Sequence, residues 1–145
     1  MAFMKNAIAL SKYHLENGFP NTLRTRVTTA QVNAGLTLLA ALPGWRYRIN
    51  DVSLIAIGGA ATGATSVDIN STQSAAAVKP LVAAVAGLTQ NTLLRAGAAN
   101  ATILAAGASF AVNDLNTAIT INKTGGALAT ATAIDVIMSY TLIKE

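Results

Sequence analysis

Cysteine is absent from the 145 residues, and with it go disulfides, thiolate nucleophiles and every zinc or iron–sulfur site built on sulfur. Histidine occurs once, at His14, with no carboxylate cluster spaced to help it hold a metal. The six acids are scattered, so no carboxylate pair can be nominated for glycoside hydrolysis. Charge is thin: ten Lys and Arg give a net charge of +4 and a pI near 9.8, yet only 11% of residues are charged and only 5% are aromatic. Nucleic-acid binders carry dense basic patches interleaved with aromatics; none occurs here, and no nucleic-acid partner is expected. The uncharged run Ala96 to Asn113 contains two Asn, two Gly, a Thr and a Ser, too polar for a membrane helix, so no membrane partner is expected either. The N-terminal MAFMKNAIALSKYHLEN carries Lys12, His14 and Glu16 directly after a short apolar patch, without the cleavage pattern of a signal peptide.

What is present is small and β-preferring. Hydrophobic residues make up 52%, but 30 of them are alanine, and 17 threonines accompany them. Thr, Val and Ile fit a pleated, half-buried surface. A chain of this length is one ordinary domain that needs no staples. Its low-charge Ala/Thr/Gly surface would be poorly soluble alone, which points toward assembly and a homo-oligomer, dimer or trimer.

Residues 1–20 differ from the rest. Phe3, Ala7 and Leu10 fall at helical spacing and Gly18 is placed to stop a short helix. We expect an N-terminal arm, extended or briefly helical, that docks Phe3, Met4, Ile8, Tyr13 and Leu15 on a partner, with residues 21–145 forming one β-domain. From Leu23 the period becomes two: Leu23, Thr25, Val27 and Thr29 on one face, Arg24, Arg26 and Thr28 on the other. Asn33-Ala34-Gly35 reads as a turn, Leu36 to Leu42 as a strand, and Leu42-Pro43-Gly44 as a turn with proline at its first bend.

The run from Trp45 to Asn70 is the longest β-signal. Trp45, Tyr47 and Ile49 share a face opposite Arg46, Arg48 and Asn50, but the apolar positions then move to Val52, Leu54 and Ala56. One extra residue shifts the phase, so a bulge or sheet corner is expected at Asn50-Asp51. Ile55 and Ile57 leave the end of the run apolar on both faces, which calls for cover by the core on one side and by another layer or subunit on the other. Val67 and Ile69 follow as inward positions, with Asp68 and Asn70 outward, and Ser71 to Ala77 reads as a loop. Val78 to Leu88 fits either a strand or a helix, and its neighbours favour strand. Leu93-Leu94, Thr102 to Ala105 and Ser109 to Val112 read as short strands. A hairpin is expected from Ala118–Asn122 and Ala131–Ile143 across Lys123 to Gly126. An internal echo links Gly58-Gly59-Ala60 and Ala64 to Ile69 with Gly125-Gly126-Ala127 and Ala131 to Val136, and reads either as coincidence in an Ala/Thr/Gly-rich chain or as two equivalent hairpins in two facing sheets, each glycine pair a hairpin bend. Short strands joined by Gly, Pro and Asn turns indicate an all-β protein, an antiparallel β-sandwich of the jelly-roll type.

Motif tests for chemistry fail on specific residues. The Gly58 to Gly63 loop lacks the middle glycine of a dinucleotide fingerprint, where Ala60 stands, and it leads into a strand where a helix should begin. It also lacks the lysine of a phosphate-binding loop. Gly107-Ala108-Ser109-Phe110-Ala111 lacks the second glycine of a nucleophile elbow. Three Asn-x-Thr/Ser acceptors, at Asn70, Asn100 and Asn122, match by chance in an Asn/Thr-rich chain. No enzyme, cofactor or metal is expected. The pairs Arg24/Arg26 and Arg46/Arg48 each present two guanidiniums on one strand face and could grip carboxylates of a partner bidentately, with Trp45 as a candidate anchor.

The run RVTTAQVNAGLTLLAALPGWRYRINDVSLIAIGG from Arg26 to Gly59, with the Ala/Thr/Gly-rich remainder, resembles the small head decoration or cement proteins of tailed bacteriophages. The resemblance covers most of the chain past the arm and lies in composition, strand rhythm and the Leu-Pro-Gly then Tyr-Arg-Ile phrase. It implies a jelly-roll subunit on the capsid surface of a virion, made in the host cytoplasm, oligomeric, that clamps neighbouring copies of the major capsid protein. A receptor- or carbohydrate-binding head of a tail fibre or virion knob is the alternative.

Overall fold

The computed structural model describes residues 18–145. Nine strands form two antiparallel sheets packed face to face. In chain order they are β1 (Asn21–Thr28), a short helix α1 (Thr29–Ala34), β2 (Leu36–Leu39), β3 (Trp45–Ile57), β4 (Thr62–Gln73), β5 (Ala76–Ala84), β6 (Leu93–Arg95), β7 (Ala101–Thr102), β8 (Ile119–Ala129) and β9 (Ala133–Lys144). The first sheet runs β1-β9-β3-β6, the second β2-β8-β4-β5-β7. Between them lie Val27, Ile49, Leu54, Val67, Ile69, Leu81, Ile119, Ile121, Ile134, Val136 and Met138, each fully buried or nearly so. This is an all-β sandwich: alternation places one apolar row of each strand inside and leaves the other row outside.

The bulge falls where the change of phase requires it. β3 and β9 pair in register from Trp45 to Ile49, slip, and resume at Asp51. Tyr47 and Ile49 are buried before the slip, Val52, Leu54 and Ala56 after it. Residues 78–84 are strand, and Val85–Gly87 closes with a 3-10 turn. Pro80 sits where the β4–β5 register slips, with Lys79 and Pro80 opposite Asn70 alone; a bulge is one of the few positions in a sheet that tolerates proline's missing N–H.

Four expectations are corrected. Thr29–Ala34 is a helix rather than strand and turn: Thr28 and Gln31 close a capping box around its first turn and Val32 packs wholly into the core. The stretch 71–77 is a tight hairpin. β4 and β5 turn at Ser74-Ala75, both at positive φ, and the Asp114 carboxylate accepts from both their N–H groups at 2.8 and 2.9 Å. Of the segments 102–105 and 109–112 only Thr102 is strand, at the end of β7; Ala105–Phe110 takes 3-10 turns, and its Ser109 donates to the Pro80 carbonyl at 2.6 Å. β8 and β9 are not a hairpin; they lie in opposite sheets, and the chain crosses the sandwich between them.

That last correction explains the echo. β3 to β4 crosses from the first sheet to the second, and β8 to β9 crosses back, so the Gly58-Gly59 bend is not a hairpin either. The pairings Ile57↔Ala133 through Ser53↔Ile137 map onto Ser66↔Thr124 through Asn70↔Thr120 when residues 67 apart, as Gly58 and Gly125 are, are exchanged. The crossings pack on each other by the same rule. Gly58 lies against Thr132 and Gly125 against Thr65, both glycines at positive φ and both with no room for a Cβ. Strands β1 to β4 and β5 to β9, with β7 set aside, are thus two halves of one pairing pattern, in which β1, β2, β3 and β4 exchange with β5, β6, β8 and β9.

Candidate functional site

The outer face of the first sheet gathers what the sequence scattered. On β1, Arg24 and Arg26 alternate with the inward Leu23 and Val27; on β3, Arg46 and Arg48 alternate with the inward Tyr47 and Ile49; on β6, Arg95 follows the buried Leu94. All five arginines of the chain therefore stand on this one face. Register sets them in rows: Arg24, Ile137, Ser53 and Arg95 lie across the sheet from edge to edge, and Arg26, Asp135, Ile55 and Leu93 form the next row. Arg48 is opposite Thr141 and Arg46 opposite Ile143.

Three of these arginines are paired. Arg26 grips Asp135 with two bonds of 2.6 and 2.9 Å, Arg46 reaches Glu145 at 2.6 Å, and Arg95 reaches Asp51 at 3.0 Å. The hydrogen bonds from Arg26 hold the Asp135 carboxyl below its ordinary range, and the Arg24 charge adds to this. Arg24 has no hydrogen-bond partner among the described residues, and Arg48 makes only a 3.3 Å bond to the amide oxygen of Asn50. Between Arg24, Arg26, Asp135 and Ile137 the surface dips into an open depression of about 310 Å³. Ile55, Ile57, Ile137 and Ile143 are half-exposed and Leu93 is 52% exposed. Ile55 and Ile57 carry the double-sided apolar character read from the sequence; here the second side is open.

The second sheet's outer face is different in kind. Thr37, Thr120, Asn122, Thr124, Asn70 and Thr72 project from it, and its carboxylate is internally neutralised. Asp68 points outward as the alternation requires but is fully buried, because Lys79 at 2.7 Å, Ser66 at 2.7 Å and Thr124 close over it and satisfy both oxygens. Trp45, Tyr47 and Tyr140 behave as core, while Phe19 is exposed. Trp45 is half-buried and packs against the core from the side of β3 opposite Arg46 and Arg48. Tyr47 and Tyr140 meet edge to face at 5.7 Å, and burial raises the pKa of both phenols above the usual value of 10.

Of the residues nominated from sequence, Arg24, Arg26, Arg46 and Arg48 come together on one face, Trp45 stands on the inner side of the same sheet, and Phe3, Met4, Ile8, Tyr13 and Leu15 lie outside the described residues. The sequence reading missed Arg95, Leu93 and Ile137. Their signal was only the alternation Leu93-Leu94-Arg95 and the apolar Ile137 between Asp135 and Ser139 in the outward row of β9, and nothing local says that three-residue β6 lies beside β3. Among the described residues no group of three or more His, Asp or Glu could hold a metal ion, and no helix is long and apolar enough to cross a membrane. Comparison with models of known protein families gives no match, and comparison with curated proteins gives none either.

Proposed function

We propose that this chain is a non-enzymatic structural subunit of a virion, a capsid decoration or cement protein that lies on neighbouring major capsid proteins and bridges them. The observation that carries the reading is the gathering of all five arginines, two of them without a carboxylate partner among the described residues, with Ile55, Ile57, Ile137 and Leu93 on one broad sheet face, while on the outer face of the other sheet Asp68 is neutralised by Lys79. A wide face of Arg and Ile matches a macromolecular surface better than a small molecule, which is usually held in a deep concave pocket. The strand order supports the jelly-roll form of the sandwich: with β7 set aside and the later strands renumbered, it is 1-8-3-6 over 2-7-4-5. Weak contacts suffice for such a subunit, because many copies on one shell act at high effective concentration. The fibre-head alternative gains no specific support, since Trp45, Tyr47 and Tyr140 sit on the core side rather than on a sugar-binding platform.

The test uses virions banded by density from a lysate of the organism that encodes the chain. The chain is expected to co-band with the major capsid protein, and antibody against it should decorate heads in electron micrographs. Its absence from banded particles, or label confined to tail tips, overturns the reading.

A further inference from the structure

We infer that the outer face of the β1-β9-β3-β6 sheet docks an acidic protein surface, with the carboxylates of the partner seated at Arg24 and Arg48 around a central apolar strip. The inference rests on the reading of this chain as a docking subunit and adds the chemistry of the partner. Five guanidiniums and three carboxylates share the face, Asp51, Asp135 and Glu145 being each taken by one arginine. Two positive charges remain in excess, and they are located: Arg24 is without a hydrogen-bond partner among the described residues, and Arg48 touches only a neutral amide. Arg24 borders the depression that Arg26, Asp135 and Ile137 also line. A carboxylate entering there meets a planar donor fork that no other described residue uses.

Three occupants compete for such a face. A second copy of this chain would bring the same excess of positive charge against itself, and like charges set against each other across an interface cost affinity. A nucleic acid would meet Asp51, Asp135 and Glu145, interspersed among the arginines and repelling its phosphates, and Trp45, Tyr47 and Tyr140 face inward, away from its bases. An acidic protein surface suits both components: its carboxylates answer Arg24 and Arg48, and its apolar side chains cover Ile55, Ile57, Ile137 and Leu93. Arginine mixed with exposed aliphatic side chains is the composition of protein–protein contact.

The experiment is a titration of the isotope-labelled full chain, followed by NMR at the arginine Nε–Hε and isoleucine methyl signals. The probes are a copolymer of glutamate and leucine, its glutamine–leucine counterpart, and single-stranded DNA of the same charge. The Glu–Leu probe should move the Arg24, Arg48, Ile55 and Ile137 signals while Thr120 and Asn122 on the other face stay still. The double variant R24E/R48E should weaken that binding about tenfold or more, and T120E should leave it unchanged. Neither arginine holds an ion pair, so the double variant is expected to keep the wild-type spectrum elsewhere; should it unfold, R24Q/R48Q must show the same loss of binding. Tighter binding of DNA, equal binding of the Gln–Leu probe, shifts confined to the other face, or a chain that dimerises through this face each overturns the inference. Failure here would leave the co-banding of the chain with virions untouched, and failure of co-banding would leave this titration standing, so the two readings fail separately.

Discussion

Arg26 and Asp135 show how much a single pair can contribute on this surface. The bond is bidentate, but Arg26 is 61% and Asp135 25% exposed, so water and salt screen most of the attraction. Its clearest mark is on pH. The Asp135 carboxyl is depressed below its ordinary value near 3.8, so the contribution to stability is present above that value and is lost as pH falls through the depressed one. Asp135→Asn should therefore lower the urea midpoint slightly at pH 7, and the gap to the parent should narrow steadily as the pH is taken below 3.8; a gap that does not change with pH would show packing, and not charge, to be the cause. At Gly58 and Gly125 a different constraint holds. Each backbone sits against a threonine of the other crossing at positive φ, so the sequence echo marks a place where two chain segments need the same clearance. That clearance was invisible in the sequence, where the two glycine pairs looked like separate hairpin bends.

At the scale of elements, β3 is the strand on which both sides of the molecule depend. Its bulge lets one strand bury Tyr47 and Ile49 and then Val52, Leu54 and Ala56, while Arg46, Arg48, Ser53 and Ile55 stay outside. Deleting Asn50 would put the two halves of β3 back in one phase and turn three core residues outward. The expected result is a chain without a cooperative thermal transition, or one destabilised by more than about 4 kcal/mol, given that burying each large aliphatic side chain is worth about 1.5–3 kcal/mol; a deletion variant that melts like the parent would refute this. Bulge and phase were legible because the pattern of side chains is local. The hairpin at Ser74-Ala75 was not. Such a turn ordinarily needs Asn or Gly, and here a carboxylate forty residues on, Asp114, holds two non-glycine residues at positive φ. Helix α1 was legible in principle: the capping box from Thr28 to Gln31 was in view, but six residues between two strands make fewer than two turns, too little periodicity to set against alternation.

In the whole molecule, the two halves are interlocked. Every pairing of long strands joins β1–β4 to β5–β9: β1 with β9, β9 with β3, β3 with β6, β2 with β8, β8 with β4 and β4 with β5; only the short β5–β7 pair stays within one half. Neither half can build a sheet from its own long strands. Fragments 1–74 and 75–145 should each show a coil-like far-ultraviolet spectrum alone, and when mixed should regain the β spectrum and elute as one species; a folded single fragment would contradict the interlock. The sequence by itself determined that the chain is all-β, where β3 changes phase, and which residues of β1, β3, β4 and β9 face in or out, because alternation is a property of neighbouring residues. Only the tertiary structure decided which strands lie side by side. That choice turned an expected β8–β9 hairpin into a crossing between sheets, sealed Asp68 beneath Lys79, and placed Arg95 and Ile137 in line with Arg24. The physical reason is that strand pairing is settled by backbone hydrogen bonds and burial between segments far apart in the chain, and such bonds carry almost no mark of residue type.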